Sequence, residues 1–138
     1  MILVSDYMTR NPKSVRHTDS LLYVCQQMEV GKFRHLPVVD TDGRIVGMLS
    51  ERDLRNIHAA LDVLRESIEG EHGQLPVGEL MVTDVKTIAP TAELHSAAGL
   101  LNDHKIGALP VVENDQLIGI ITYTDILRAF IDLQVTTA

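Results

Sequence analysis

Two short stretches of this chain set a hydroxyl and a carboxylate three residues apart at the end of an aliphatic run. They are Gly47-Met48-Leu49-Ser50-Glu51-Arg52-Asp53 and Gly119-Ile120-Ile121-Thr122-Tyr123-Thr124-Asp125. An ionised carboxylate accepts two hydroxyl protons at once, in bonds stronger than those between neutral groups. Asp53 and Asp125 are therefore each suited to gripping a pair of hydroxyls. The same spacing also describes a helix start, with Ser50 and Thr122 as N-caps and the acids at the capping-box position, where they suit the helix dipole. The two readings are compatible.

What must position these groups is a unit that occurs twice. Residues 4–40 lie over residues 77–113 without a gap at an offset of 73, and one residue lost in the following turn reduces the offset to 72 at the two glycines. In the first copy Leu21, Val24, Cys25 and Met28 fall on one helical face behind a candidate N-cap, Thr18, and Leu94, Ala97, Ala98 and Leu101 repeat the stripe behind Thr91. A proline-led β-branched pair follows each helix, then Thr41-Asp42-Gly43 or Asn114-Asp115, then a second apolar run, which together read as a hairpin. Pro37 and Pro110 are expected at the first position of their strands, where no ladder bond is lost. With a short extended piece before each first helix, the order in each copy is strand, helix, strand, strand, helix, an α+β class. Leu54, Ile57, Leu61, Leu64 and Ile68 mark a long second helix in the first copy, and the glycines and proline of residues 69–76 read as a linker. The expected division is residues 1–68, the linker, and residues 77–138. Neither half buries enough surface alone, so the two small sheets are expected to face each other about a pseudo-two-fold axis.

Composition narrows the function classes. The chain has 138 residues, 45% of them apolar, enough for a core, and a net charge of −7 that argues against general affinity for nucleic acid or an anionic membrane. A single cysteine, Cys25, leaves no internal disulfide and fits a reducing, cytoplasmic setting. On the apolar stripe it is expected to pack as a small hydrophobe. No apolar run reaches membrane-spanning length. No HExxH occurs, and His95 and His104 lie nine apart without a partner cysteine, so no metal is expected. Neither a GxSxG motif nor a Walker loop is present, and the two aspartates sit in separate copies rather than as an acid–base pair. Binding, not catalysis, is the expectation.

The repeated Leu-Pro-Val-Val strand and the Gly-aliphatic-aliphatic-Ser/Thr-x-x-Asp pattern, in register over about residues 4–56 and 77–130, resemble the cystathionine-β-synthase (CBS) domain. Two in tandem resemble a Bateman module. The resemblance implies a regulatory module, homodimeric, that binds AMP, ADP, ATP or S-adenosylmethionine in clefts between its repeats and reports ligand state to an unknown partner protein. It also implies composite sites in which Asp125 and Thr122 face Val15, Phe33, Arg34 and His35, while Asp53 and Ser50 face Ile88, Ile106, Gly107 and Ala108. In this scheme each Asp takes the ribose hydroxyls. Arg34 and His35 are either a phosphate grip or a solvated strand start, and Gly107 either admits a base close to the backbone or makes a helix-to-strand turn. Arg52, Arg55, His104 and Lys105 are further candidates for phosphate contact. A competing reading leaves the clefts empty and uses apolar stripes on the outer helices (Leu54, Ile57, Leu61; Ile126, Phe130, Leu133) for self-association.

Overall fold

The stripe in each copy becomes the buried face of a helix. The computed structural model describes residues 1–64 and 66–137. The first copy runs through α1 (Val4–Tyr7), β1 (Thr9–Arg10), β2 (Val15–Arg16), α2 (Leu21–Gly31), β3 (His35–Val39), β4 (Ile45–Ser50) and α3 (Glu51–Val63). The second supplies α4 (Leu94–His104), β5 (Ala108–Glu113), β6 (Gln116–Thr122) and α5 (Tyr123–Thr137). In place of a second-copy β2, Ile88 makes a parallel bridge to Val111. The mixed α and β class is as expected.

Two compact units result, one of residues 13–85 and one of residues 1–12 with 86–138. In the first, β2 runs parallel to β3, β3 is antiparallel to β4, and Val82 bridges Met48 on the far side of β4. Leu21, Val24, Met28, Leu36, Val38 and Leu49 form its core. In the second, β5 and β6 pair antiparallel, with β1 along β6 and Ile88 beside β5. Leu94, Ala97, Leu101, Leu109, Val111 and Ile121 form its core.

The opening residues of each copy thus complete the unit built mainly from the other. In one unit Leu94 N–H donates to the Ile2 carbonyl at 2.8 Å and Val4 N–H to Ala92 at 2.9 Å; in the other, Leu21 N–H donates to Leu75 at 2.9 Å and Val77 N–H to Asp19 at 2.8 Å. Helix N-termini have free N–H groups, and these carbonyls occupy them. Val4 and Val77 are fully buried.

Several local expectations need correction. Thr18 is not a cap, because residues 16–19 close a turn with Asp19 Oδ2 accepting from Arg16 N–H; Ser20 caps α2 instead, accepting from Tyr23 N–H. Thr91 is displaced likewise, and Glu93 stands at the α4 N-cap with no side-chain bond. Pro37 and Pro110 sit third in their strands, not first. Met48 exchanges both backbone bonds with Val82, so its pair with Pro37 needs no proline N–H. The second helix of the first copy ends at Val63, short of Ile68. A turn closed by Gly70 N–H on Ser67 then carries Ile68 back against the core. Leu54 and Leu61 are buried and Ile57 is packed against the core, so they form no exposed stripe; Ile126 is also partly buried, whereas Phe130 and Leu133 are exposed. The hairpin turns are as expected. Asp40 Oδ1 accepts from Asp42 and Arg44 N–H, while Asn114 and Asp115 both adopt positive φ, the type I′ geometry for a two-residue loop.

Gly47 and Gly119 recur because the crossing segment lies against them. A Cβ on Gly119 would stand 2.7 Å from Met8 Sδ and 3.0 Å from the Thr9 carbonyl, and one on Gly47 would collide with Met81 in the same way. Gly119→Ala should therefore destabilise by about 1–3 kcal/mol. Gly99→Ala, in open space on α4, should stabilise by up to about 1 kcal/mol. Urea unfolding of both variants checks the contrast, and an unshifted midpoint for Gly119→Ala would refute the crowding account.

Candidate functional site

Each strand–helix junction carries one of the hydroxyl–carboxylate pairs. At the start of α3 the capping box is complete: Ser50 Oγ accepts from Asp53 N–H at 3.0 Å, and Asp53 Oδ2 accepts from Ser50 N–H at 2.9 Å. Asp53 is half-buried. At the start of α5, Asp125 Oδ2 accepts from Thr122 N–H at 2.8 Å and from the Thr122 hydroxyl at 3.1 Å. Asp125 is only 4% exposed, and its Oδ1 lies 3.4 Å from an Arg128 nitrogen. The helix-start reading is thus realised in full at α3; at α5 the carboxylate returns to the strand-end N–H, but the Thr122 hydroxyl donates to Asp125 rather than accepting as a cap.

The register sets neighbours beside each pair. His35 is opposite Ser50 in one unit, and Ala108 is opposite Thr122 in the other. The Arg34 carbonyl accepts from Glu51 N–H at 2.8 Å and the Gly107 carbonyl from Tyr123 N–H at 3.4 Å. One unit therefore gathers Ser50, Asp53, Arg34 and His35, and the other gathers Thr122, Asp125, Gly107 and Ala108. The side chains of Val15 and Ile88 belong to the cores, and Ile106 packs against one of them. Phe33 lies over Gly31, where any Cβ would strike its ring. With Arg34 it lines an open groove of about 790 Å³ beside α2 and α3.

Cys25 packs against the core, as its place on the stripe implies, but its contact with His58 and those of Arg128 with Tyr7 are not legible in the sequence. Cys25 is half-buried on that groove, with His58 Nε2 3.9 Å from its sulfur. Burial, aided by the carboxylates of Glu29 and Glu69, pushes the thiol pKa up and keeps it protonated. Arg128 donates to the Tyr7 carbonyl at 2.9 Å and stacks over the Tyr7 ring, whose hydroxyl donates to Asp132 at 2.6 Å. The i, i+3 spacing of Asp125 and Arg128 is a legible signal of that pairing; nothing local marks Tyr7 as its anchor. Among the described residues, no group of three His, Cys, Asp or Glu is placed to hold a metal ion, and no helix is long and apolar enough to cross a membrane.

This architecture is that of a known family. The CBS domain model matches residues 4–60 and again 77–132, and the chain belongs to the CBS domain family. It is 31% identical to CBS domain-containing protein YhcV of Bacillus subtilis over 126 residues, 91% of this chain and 84% of YhcV. It is 33% identical over 120 residues to homoserine O-acetyltransferase of Methanocorpusculum labreanum, but this is 86% of the chain and only 22% of that enzyme. Among solved structures, AcuB from Vibrio cholerae superposes with a TM-score of 0.82 at 36% identity, over 99% of this chain and 96% of AcuB. CBSX2 in complex with AMP gives 0.82 at 28%, over 97% and 99%. The CBS pair of protein MJ0100 with methylthioadenosine and S-adenosylmethionine gives 0.73 at 27%, over 93% and 98%.

His35 offers a pH test of the junction. Its pKa is lowered from 6.5, first by burial and then by Arg34, against the opposing pull of Asp53 and Glu51. The unfolded chain binds the proton more readily, so stability is fully present above the unfolded value of about 6.5 and is lost as pH falls through the lower folded value. Urea midpoints between pH 7.5 and 5 should fall more steeply for the wild type than for His35→Asn. Parallel curves would show that His35 is not held neutral by its surroundings.

Proposed function

We propose that the chain is a regulatory module that binds an adenosine nucleotide (AMP, ADP or ATP) at a strand–helix junction and transmits ligand state to a partner protein. The observation that carries this reading is the duplicated junction itself. In both units a carboxylate is anchored on one oxygen by the backbone of its own helix start, which fixes its direction, as a grip on paired ribose hydroxyls requires. The AMP complex of CBSX2, alike over 97% of the chain, supports it. Arg34 supplies a cation and the neutral His35 a ring N–H donor in one unit for phosphate; Gly107 and Ala108 leave the corresponding strand end of the other uncharged.

That uncharged strand end supports a second reading, S-adenosylmethionine, whose sulfonium needs no cationic grip, as does the MJ0100 complex. Self-association fits alongside either ligand. Tyr123, Leu127, Phe130 and Ile131 on α5 are all about half exposed or more, a face suited to a homodimer. Regulation then follows from population shift: a ligand with unequal affinity for two arrangements moves the balance between them by that difference.

Isothermal titration with AMP, ADP, ATP and S-adenosylmethionine, repeated with Asp53→Ala and Asp125→Ala, tests the proposal. Saturable binding lost in at least one variant is expected, together with about 2.7 kcal/mol of added stability at a hundredfold excess of ligand over Kd. Silence with all four ligands at millimolar concentration would leave the pairs as helix caps and the protein as an assembly module.

A further inference from the structure

The two junctions share a motif but not a state of occupancy. At the α5 junction every polar group is already engaged. Asp125 Oδ2 takes both the backbone and the hydroxyl proton of Thr122, and Thr122 Oγ1 is also 2.8 Å from Thr124 Oγ1. Oδ1 faces Arg128, which is itself held by the Tyr7 carbonyl and the Tyr7 ring. A hydrogen bond from Tyr7 to Asp132, which also raises the phenol pKa, steadies the anchor from the next turn of α5.

At the α3 junction the corresponding groups are open. Ser50 Oγ uses a lone pair for Asp53 N–H, and among the described residues its own proton and Asp53 Oδ1 carry no hydrogen bond. The repeat offsets put Asn56 where the other unit has Arg128, Ala60 in place of Asp132, and Leu80 in place of Tyr7. The whole anchoring set, drawn from both copies, is confined to one unit.

We propose that Arg128 acts as an internal counter-ion that closes the Asp125 junction, so that the Asp53 junction is the one that takes the adenosine ligand. A diol arriving at Asp125 must displace a guanidinium from a nearly buried carboxylate, whereas at Asp53 it meets an unused oxygen and an unused hydroxyl proton. Arg128 is a specificity-determining residue that acts through Asp125. The inference rests on the proposed nucleotide binding.

Titration of the full chain with AMP tests it in the wild type and in Asp53→Asn, Asp125→Asn, Arg128→Asn and Asn56→Arg. One site per chain is expected, abolished by Asp53→Asn and kept by Asp125→Asn. Arg128→Asn should add a second site that vanishes when Asp125→Asn is combined with it. Asn56→Arg, which installs the counter-ion at the open junction, should weaken AMP binding about ten- to hundredfold. Two equal sites in the wild type, loss of binding with Asp125→Asn, or an unchanged single site in Arg128→Asn would overturn the inference. If Arg128→Asn does not fold, Asn56→Arg decides alone, and unchanged affinity refutes the idea. Silence of every protein toward AMP and S-adenosylmethionine would instead refute nucleotide binding, and the inference would fall with it.

Discussion

The structure depends on four backbone hydrogen bonds that tie the start of each copy to the helix of the other. Leu21 and Leu94 open their helices on the carbonyls of Leu75 and Ile2, and Val77 and Val4 return the bond to Asp19 and Ala92. Buried N–H groups without partners are costly, and helix N-termini have several. These bonds meet that demand at α2 and α4 while drawing a buried valine into each core. Downstream, the same segments reach the sheet edges, where Gly47 and Gly119 make room for Met81 and Met8. One docking event thus sets helix start, core and strand edge together.

Most of the local architecture was legible because its signals are local. The helical stripes of Leu21, Val24 and Met28 and of Leu94, Ala97 and Leu101 are buried as their spacing implies. The turn at Asn114-Asp115 is also readable from residue type. The exchange of opening segments was not legible, because Val4 and Val77 occupy equivalent places in the repeat and their immediate sequence cannot say which unit receives them. Thr18 and Thr91 mislead for a local reason: a threonine before an apolar stripe resembles a cap, but each helix starts two residues further on, where Ser20 caps α2 after the turn of residues 16–19 and Glu93 stands before α4. The end of α3 was misplaced because Ile68 keeps the helical period while reaching the core through a turn.

The candidate site shows the same divide. The reciprocal bonds of Ser50 and Asp53 follow from a three-residue spacing and were readable as such. The different surroundings of Asp125 come from Tyr7, 118 residues away in sequence, through a side chain on α5 that approaches it only in the folded chain. Sequence symmetry therefore overstates the structural symmetry of the two junctions. Two matching motifs became one half-buried carboxylate and one nearly buried carboxylate facing an arginine.

The exchanged segments also bear on how such a protein is inherited. A lone copy would carry a valine-bearing strip whose receiving slot belongs to another copy, and a slot with nothing of its own to fill it. The pair, not the single repeat, is then the smallest piece that a recombination event can transplant intact. A break in residues 69–76 would separate two polypeptides that each lack what the other holds. Duplication here did more than lengthen the chain: it made the copies mutually obligate, and from that point they could diverge in their polar groups without either being lost.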